Sequence, residues 1–172
     1  DTETGVTLME LDRGMDTGKI IALEKTLIDP DERADELLSR LAVLGSELLT
    51  KTLPLWITRS IVATPQPEDG VTLCQLIERE DGRVFWNSSA EEIYNLYRGL
   101  YPWPGLFTFW RRGHDDMLRL KFHEIAVQKT APVATHRAGT VLEVGEQVGI
   151  MTSEGIIFPL TLQLEGKETV SI

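Results

Sequence analysis

Residues 5–21 read GVTLMELDRGMDTGKII: an apolar run, a loop of aspartate and glycine, and a second apolar run. Enrichment in Val, Leu and Ile predicts strands over residues 6–11 and 19–27. Two interpretations of the loop compete. Asp and Gly are the usual residues of a tight surface turn, but a carboxylate at the end of a strand, such as Asp16, is also where α/β proteins place reactive groups. The residues alone favour the turn, because surface turns outnumber active-site loops.

A leucine-rich helical pattern follows the second strand. Pro30 and several acidic residues stand where a helix would start, and leucines recur three or four residues apart between Leu37 and Leu49. We expect Gly45 to divide this pattern into two helices and Pro54 to end or kink the second one. Two strands followed by packed helices are typical of the end of an α/β domain.

The stretch ATPQPEDG at residues 63–70 has two prolines, two acids and a glycine, and it contains no large apolar side chain. This composition predicts an extended linker. The chain is accordingly expected to have a first domain at residues 1–62, a linker at residues 63–78 and a second domain at residues 79–172.

The second domain is expected to begin with a helix and continue as strands. Ser89 and Glu92 have the spacing of a capping box, which predicts a helix that continues to about Gly99. Apolar runs separated by turn residues then predict five strands, at residues 106–110, 117–127, 139–144, 148–152 and 156–164. Such a set of short strands favours a small closed barrel or a sandwich.

The composition is that of a globular protein and limits the classes of function. Among 172 residues, 42% are hydrophobic and the net charge is -10, which argues against indiscriminate binding of nucleic acid. Residues 1–82 carry 17 acidic and 8 basic side chains, whereas residues 83–172 carry 10 and 9, so the second half can still present a basic face. The single cysteine, Cys74, excludes an internal disulfide.

Targeting signals are not evident in the sequence. No apolar stretch approaches the roughly 20 residues of a membrane span, and residues 1–20 lack the basic start and apolar core of a signal peptide. The chain begins directly with a strand-like run and without Met. We therefore expect it to start inside a larger protein.

The second half contains residues that could form two kinds of site. The histidines, His114, His123 and His136, lack partners at metal-ligand spacing, so we expect no metal site. The run FTFWRR at residues 107–112, followed by Arg119 and Lys121, is a pattern that can stack bases and contact phosphates. The same alternation also fits a core strand with solubilising arginines on its other face.

Two motifs in sequence order resemble a known family. The run at residues 5–21 closely resembles the strand–loop–strand at the catalytic site of 10-formyltetrahydrofolate-dependent formyltransferases. Residues 79–105, REDGRVFWNSSAEEIYNLYRGLYPWPG, resemble the second-domain signature of the methionyl-tRNA formyltransferase family, and residues 137–167 are similar to its C-terminal region. The resemblance covers nearly the whole chain.

The resemblance implies a fold and an activity. The fold would be the C-terminal part of a Rossmann-like α/β formyltransferase domain, a linker, and an OB-like small β-barrel with one leading helix. The activity would be transfer of a formyl group from 10-formyltetrahydrofolate, as co-substrate, to the amino group of initiator methionyl-tRNA, for translation initiation. We expect a monomer in the bacterial cytoplasm or an organelle, with no membrane association.

The resemblance also assigns roles to residues. Asp16 would be the active-site aspartate that keeps a neighbouring histidine charged and helps to move protons. Folate contacts would come from a set in the same loop, namely Leu11, Asp12, Arg13, Gly14 and Met15, in which Asp12 is chiefly a turn residue. Contacts to tRNA would come from basic residues of the second half: Arg83, Arg98, Arg111, Arg112, Arg119 and Lys121.

Three hypotheses follow for the function. The family's catalytic Asn and His would lie upstream of Asp1, so we expect the 172 residues to be inactive alone and the complete protein to be a methionyl-tRNA formyltransferase. The second hypothesis is a sibling formyltransferase or a formyl-folate hydrolase that acts on a sugar amine or on water. The third is an RNA-binding fragment without enzyme activity.

Overall fold

The computed structural model describes residues 1–113, 116–129 and 137–172. His114, Asp115 and residues 130–136, which include His136, lie outside the described part, as do the side chains of Arg112 and Asp116. The chain divides into two compact units, Asp1–Leu76 and Ile77–Ile172. We call them unit 1 and unit 2.

Unit 1 is a hairpin of two antiparallel strands covered by one long helix. Strand β1 (Glu3–Met9) pairs with β2 (Ile20–Leu27), from Glu3 opposite Leu27 to Met9 opposite Ile20. The two predicted strands are therefore confirmed, although the first ends two residues earlier than expected. The helix, α1 (Ala34–Ile57), packs on both strands.

Helix α1 is continuous, so the expectation that Gly45 divides it is wrong. A Cβ atom added at Gly45 would lie 3.2 Å from Cγ1 of Val6 on β1, a tight contact. Gly45 therefore allows close approach of the helix to the hairpin instead of ending the helix. Pro54 lies in the last turn of α1, and the helix ends three residues later at Ile57.

The end of α1 has an unusual residue in a common motif. The amide of Ser60 donates to the carbonyl of Leu55 at 2.8 Å, and the amide of Arg59 donates to that of Trp56 at 3.1 Å. This is the Schellman pattern, whose left-handed position is usually glycine. Here Arg59 occupies it, with a φ of 56°.

Unit 2 begins with a short 3₁₀ helix (Arg79–Gly82) and helix α2 (Ala90–Gly99). The predicted capping box of α2 is confirmed. The Glu92 amide donates to Oγ of Ser89 at 3.2 Å, and the Ser89 amide donates to Oε2 of Glu92 at 2.8 Å. The hydrogen bond from the Ser89 backbone is the main cause that lowers the pKa of Glu92.

The rest of unit 2 is an antiparallel sheet. Its strands are β3 (Leu106–Arg112), β4 (Asp116–Gln128), β5 (Val141–Val144), β6 (Gln147–Met151), β7 (Ile156–Leu164) and β8 (Thr169–Ser171). The order is β3-β4-β7-β6-β5, and β8 also pairs with β7. The five predicted strands are confirmed, and β8 is an addition.

The expected OB-like closed barrel is not confirmed. Within the described ranges no ladder joins β3 to β5, the two ends of the strand order. Strand β6 pairs with β7 only at Ile156 and Ile157, and β8 takes the β7 edge from Thr161 to Gln163. The sheet is therefore open between β3 and β5 in the described part of the chain.

Helix α2 covers one face of this sheet. Ile93 and Tyr97 of the helix join Leu106, Phe122 and Ile157 of the strands in one buried cluster. Among the described helices, none has the length and apolar character needed to cross a membrane.

Candidate active-site loop and basic groove

The loop between β1 and β2 is closed at its base. The amide of Glu10 donates to the carbonyl of Lys19 at 2.9 Å. A Cβ atom added at Gly18 would lie 1.7 Å from the Glu10 carbonyl oxygen, so only glycine fits at this position. The glycine of the MDTG stretch is thus required by the closeness of the two chain segments.

Asp12 organises the first half of the loop. Its Oδ1 accepts hydrogen bonds from the amide of Gly14 at 2.9 Å and from Oγ1 of Thr17 at 2.7 Å. An aspartate that bonds to the backbone two residues ahead is the usual Asx turn. Asp12 therefore acts as a turn residue here.

Asp16 lies in the second half of the loop, with an exposed side chain and a φ of 56°. Left-handed backbone is uncommon for residues other than glycine, although aspartate tolerates it better than most. Its carboxylate makes no hydrogen bond to a described residue. Unit 1 contains no histidine, so this unit does not supply the imidazole partner that the resemblance implies.

The remaining predicted folate residues surround Asp16 on the surface. Arg13 and Gly14 are exposed, and Leu11 and Met15 have exposed fractions of 92% and 90%. The loop therefore exposes two large apolar side chains.

Gln66, from the segment that follows α1, bonds to the backbone of the loop. Its Nε2 donates to the carbonyl oxygens of Asp16 and Gly18, both at 2.7 Å. The backbone leading to Gln66 is itself fixed, because Thr64 and Ile20 exchange amide–carbonyl bonds of 2.8 and 2.9 Å. Sequence reasoning missed Gln66, since the pattern PQP indicates only a linker.

A cavity of about 530 Å³ opens at the base of the loop. Its lining combines both loop ends with the end of α1 and the segment after it: Glu10, Lys19, Trp56, Ile57, Arg59, Ile61, Val62 and Ala63.

In unit 2, part of the predicted basic set converges on one groove. Arg119 and Lys121 of β4 line a groove of about 360 Å³ together with Arg79 and Trp103. Trp103 is 60% exposed. The Arg119 guanidinium lies 3.7 Å from the centre of the Phe107 ring. Arg79 and Trp103 were not among the predicted contacts, although both lie in the sequence motif at residues 79–105.

The other predicted basic residues have different surroundings. Arg83 stacks over Phe109 at 5.3 Å and also lies 5.5 Å from the Phe85 ring centre. Arg98 on α2 donates to Oδ1 of Asn95 at 2.6 Å. Arg111 is exposed on β3, and the side chain of Arg112 lies outside the described part.

No group of three or more His, Cys, Asp or Glu side chains that could hold a metal ion occurs among the residues that the structure describes.

Family models match both units. The model for the formyl transferase C-terminal domain matches residues 76–172, and the formyl transferase model matches residues 1–53. The chain belongs to the formyltransferase family. The resemblance seen in the two sequence motifs is thereby confirmed, and the aspartate loop lies within the segment that the second model covers.

Two curated relatives of this formyltransferase chain carry the same name. Methionyl-tRNA formyltransferase of Parvibaculum lavamentivorans is 37% identical over 172 residues, with 99% of this chain and 54% of the relative covered. The enzyme of the same name from Solibacter usitatus is 39% identical over 170 residues, with 99% and 52% covered. The chain spans about half the length of the curated relatives it matches.

A solved formyltransferase structure shares the fold. The N-formyltransferase from Helicobacter canadensis, in complex with folinic acid and dTDP-3-aminofucose, has a TM-score of 0.68 at 19% identity. The match covers 92% of this chain and 56% of that one. The mixed α/β fold with an antiparallel sheet is therefore that of a formyltransferase.

Proposed function

We propose that this chain forms the C-terminal half of a methionyl-tRNA formyltransferase, which transfers the formyl group of 10-formyltetrahydrofolate to the amino group of initiator methionyl-tRNA. The observation that carries the proposal is the match of 99% of the chain to a relative of that name. This match spans both the aspartate loop and the RGLYPWPG segment. Sequence similarity supports a shared reaction more strongly than the fold does, because one fold hosts many functions.

The apolar surface of unit 1 supports the view that this unit completes a larger Rossmann-like domain. Leu38, Val43 and Ile57 of α1 have exposed fractions of 66%, 60% and 70%. An apolar helix face of this kind is normally buried against a further layer of structure. We assign the catalytic part to residues 1–62, the linker to residues 63–78 and an OB-like, tRNA-binding part to residues 79–172.

The proposed reaction defines what Asp16 has to do. The amine nitrogen attacks the formyl carbon, the formyl oxygen becomes an oxyanion, and the bond from that carbon to N10 of the folate then breaks. One proton leaves the amine and N10 gains one, so a group that moves protons is needed. Asp16 is that group in this chain. Beside an imidazolium it also stabilises the positive charge that in turn stabilises the oxyanion.

The loop geometry supports a folate surface next to Asp16. Leu11 and Met15 present apolar side chains that a flat pterin ring would cover, and burial of such surface favours binding. Arg13, Gly14 and Asp12 complete the proposed contact set. Their backbone is held by the Asx turn, so the surface exists before ligand binds.

The groove of unit 2 supports a site for the tRNA backbone. Arg79, Arg119 and Lys121 place three cations around one concave surface, where phosphates would release counterions on binding. Glu165 also lines this groove, and its negative charge partly offsets the charge of the three cations. The other proposed contacts are Arg83, Arg98, Arg111 and Arg112.

A second candidate is a sibling formyltransferase with another acceptor. The solved structure with dTDP-3-aminofucose favours a sugar amine, and a hydrolase would use water in its place. A third candidate, an RNA-binding fragment, would bind tRNA without any turnover. The proposed activity, by contrast, belongs to a monomer that acts in the bacterial cytoplasm or an organelle, where translation starts.

The test uses the complete product of the gene with labelled 10-formyltetrahydrofolate and three acceptors: initiator methionyl-tRNA, a dTDP-amino sugar, and water alone. Label on the tRNA only is the expected result. Uncharged tRNA is the control, because it lacks the methionyl amine. Turnover of the formyl-folate without methionyl-tRNA would overturn the proposal. The 172 residues alone should transfer no formyl group.

A further inference from the structure

Gln66 makes two contacts that neither turn geometry nor linker composition requires. Its amide group has two N–H bonds, and each is directed at a different carbonyl of the loop, that of Asp16 and that of Gly18. A side chain of the connecting segment therefore bonds to the peptide of the candidate catalytic residue, 50 residues earlier in the chain.

The loop has little else to hold it in this region. Residues 11–17 are all exposed, so no core packing fixes them. The Asp12 bonds hold Gly14 and Thr17, and the Glu10–Lys19 bond closes the base. In the second half of the loop Gln66 holds the carbonyls of Asp16 and Gly18, one on each side of Thr17.

The direction of the Asp16 carboxylate depends on this backbone. A residue at φ 56° projects its side chain differently from one in the ordinary extended or helical regions, and neighbouring structure has to maintain the rarer state. The Asp16 carboxylate makes no hydrogen bond to a described residue that would maintain it instead.

We propose that Gln66 is a positioning residue for the formyl transfer, acting through the backbone of Asp16 and touching no reacting atom itself. The inference rests on the proposed function of Asp16. The side chain of Gln66 selects the left-handed conformation of Asp16 and so aims the carboxylate at the position of the imidazolium and the formyl group.

The test compares three variants in the complete gene product. Gln66→Met keeps the length of the side chain but has no N–H donor, and Gln75→Met makes the same change at an exposed linker residue without a hydrogen bond to a described residue. Gln66→Met should lower kcat roughly 10- to 100-fold while KM for both substrates stays within about twofold, because small misplacement of a catalytic group has effects of this size. Gln75→Met should leave kcat unchanged.

Gln66→Glu supplies a readout that a merely structural role would not give. The carboxylate form faces two carbonyl oxygens without a proton, whereas the protonated form can donate to one of them. The ratio of its kcat to that of wild type should therefore rise as the pH is lowered. The same ratio for Gln66→Met should stay flat.

A measurement of loop dynamics in the complete gene product separates this inference from the proposed function. Backbone ¹⁵N relaxation should show lower order parameters over residues 13–17 in Gln66→Met but not in Gln75→Met. Unchanged loop order, or a kcat within twofold of wild type, would overturn the positioning role. An inactive wild type with a Gln66-dependent loop would overturn the proposed function and leave the anchoring of the loop intact.

Discussion

The side-chain nitrogen of Gln66 lies 2.7 Å from the carbonyl oxygen of Asp16, and this contact joins the segment after α1 to the loop between β1 and β2. The same nitrogen holds Gly18. The loop therefore combines a fixed backbone with a freely exposed carboxylate. A group that reacts needs both, because its position has to be defined while its charge stays accessible.

Replacing Asp16 by Asn should abolish most of the formyl transfer of the complete gene product. Asparagine keeps the size of the side chain and tolerates left-handed backbone, so the folding stability should not change. The loss should be about 10²–10⁴-fold in kcat, as expected for removal of a proton-transferring group. Steady-state kinetics and thermal denaturation measure the two effects.

The matched control for this variant is Asp69→Asn, an exposed aspartate in the linker. It should leave kcat unchanged. Activity that survives Asp16→Asn would remove Asp16 from the mechanism.

Replacing Gly18 by Ala should destabilise unit 1. The new Cβ would lie 1.7 Å from the Glu10 carbonyl oxygen and 2.7 Å from its carbon, so the base of the loop has to open. Overpacking of this kind costs about 1–3 kcal/mol. Urea denaturation of the 172-residue chain, followed by amide exchange at Glu10, checks the expectation.

Gly99→Ala serves as the comparison, because a Cβ there meets nothing within 4 Å. Equal stability of the two variants would show that the Glu10–Gly18 contact is not tight.

Replacing Arg59 by Gly should stabilise unit 1. Arg59 holds the left-handed position of a Schellman motif, where a side chain costs about 1–2 kcal/mol and glycine does not. The extra freedom of glycine in the unfolded chain offsets part of the gain, so we expect a net increase of roughly 0.5–1 kcal/mol. Chemical denaturation gives the value.

Thr58→Gly is the control in the same turn, because Thr58 has no left-handed backbone that glycine would relieve. Thr58 has a φ of -79°, and its hydroxyl donates to the Pro54 carbonyl at 2.9 Å. This variant should be destabilised. A loss of stability in Arg59→Gly as well would contradict the strain assigned to Arg59.

The capping box of α2 should make the stability of unit 2 sensitive to acid. The pKa of Glu92 is lowered by its hydrogen bonds from Ser89, so the folded state holds the charged form more tightly than the unfolded state. The resulting stability is present above the unfolded pKa and is lost as the pH falls through the folded pKa. Denaturation at neutral and acidic pH should show this loss in wild type and a smaller one in Glu92→Gln.

Ser89→Ala removes the cap itself and should cost about 1 kcal/mol at neutral pH. Ser88→Ala, one residue earlier, is the matched control and should change little. If the acid sensitivity of Glu92→Gln equals that of wild type, the carboxylate of Glu92 is not its source.

Neutralising the groove of unit 2 should weaken tRNA binding in a salt-dependent way. Lys121→Gln removes one proposed phosphate contact, so the slope of log K against log salt should fall in magnitude by about 1. Lys129→Gln, in which the lost cation is instead paired with Glu91 at 2.9 Å, is the control. Fluorescence titration of initiator methionyl-tRNA over a salt series measures both slopes, and identical slopes would exclude Lys121 as a contact.

The sequence predicted those features that depend on neighbouring residues. The strands around the aspartate loop, the capping box at Ser89 and five strands of unit 2 follow from local composition and period, and the structure confirms them. The two motifs at residues 5–21 and 79–105, in this order, also identified the formyltransferase family. Each of these signals is carried by residues that are close together in the sequence.

Features that depend on distant contacts could not be predicted in this way. Gly45 breaks isolated helices, but here it sits against Val6, so tertiary packing overrides its low helix propensity. Whether the sheet closes depends on pairing between β3 and β5, which are about 30 residues apart in the chain and share no ladder in the described part. The Gln66 contacts span 50 and 48 residues. A single sequence carries no signal for such pairs.

Because Gln66 bonds to the aspartate loop, the functional part of unit 1 extends beyond its last helix. Helix α1 ends at Ile57, but the hydrogen bonds to the aspartate loop come from Gln66, nine residues later and beyond the Thr64–Ile20 bridge. A truncation of unit 1 at the end of α1 would therefore remove Gln66 and its two hydrogen bonds to the loop. A truncated or fused form of unit 1 should include Gln66, and a boundary after Gly70 would keep these hydrogen bonds.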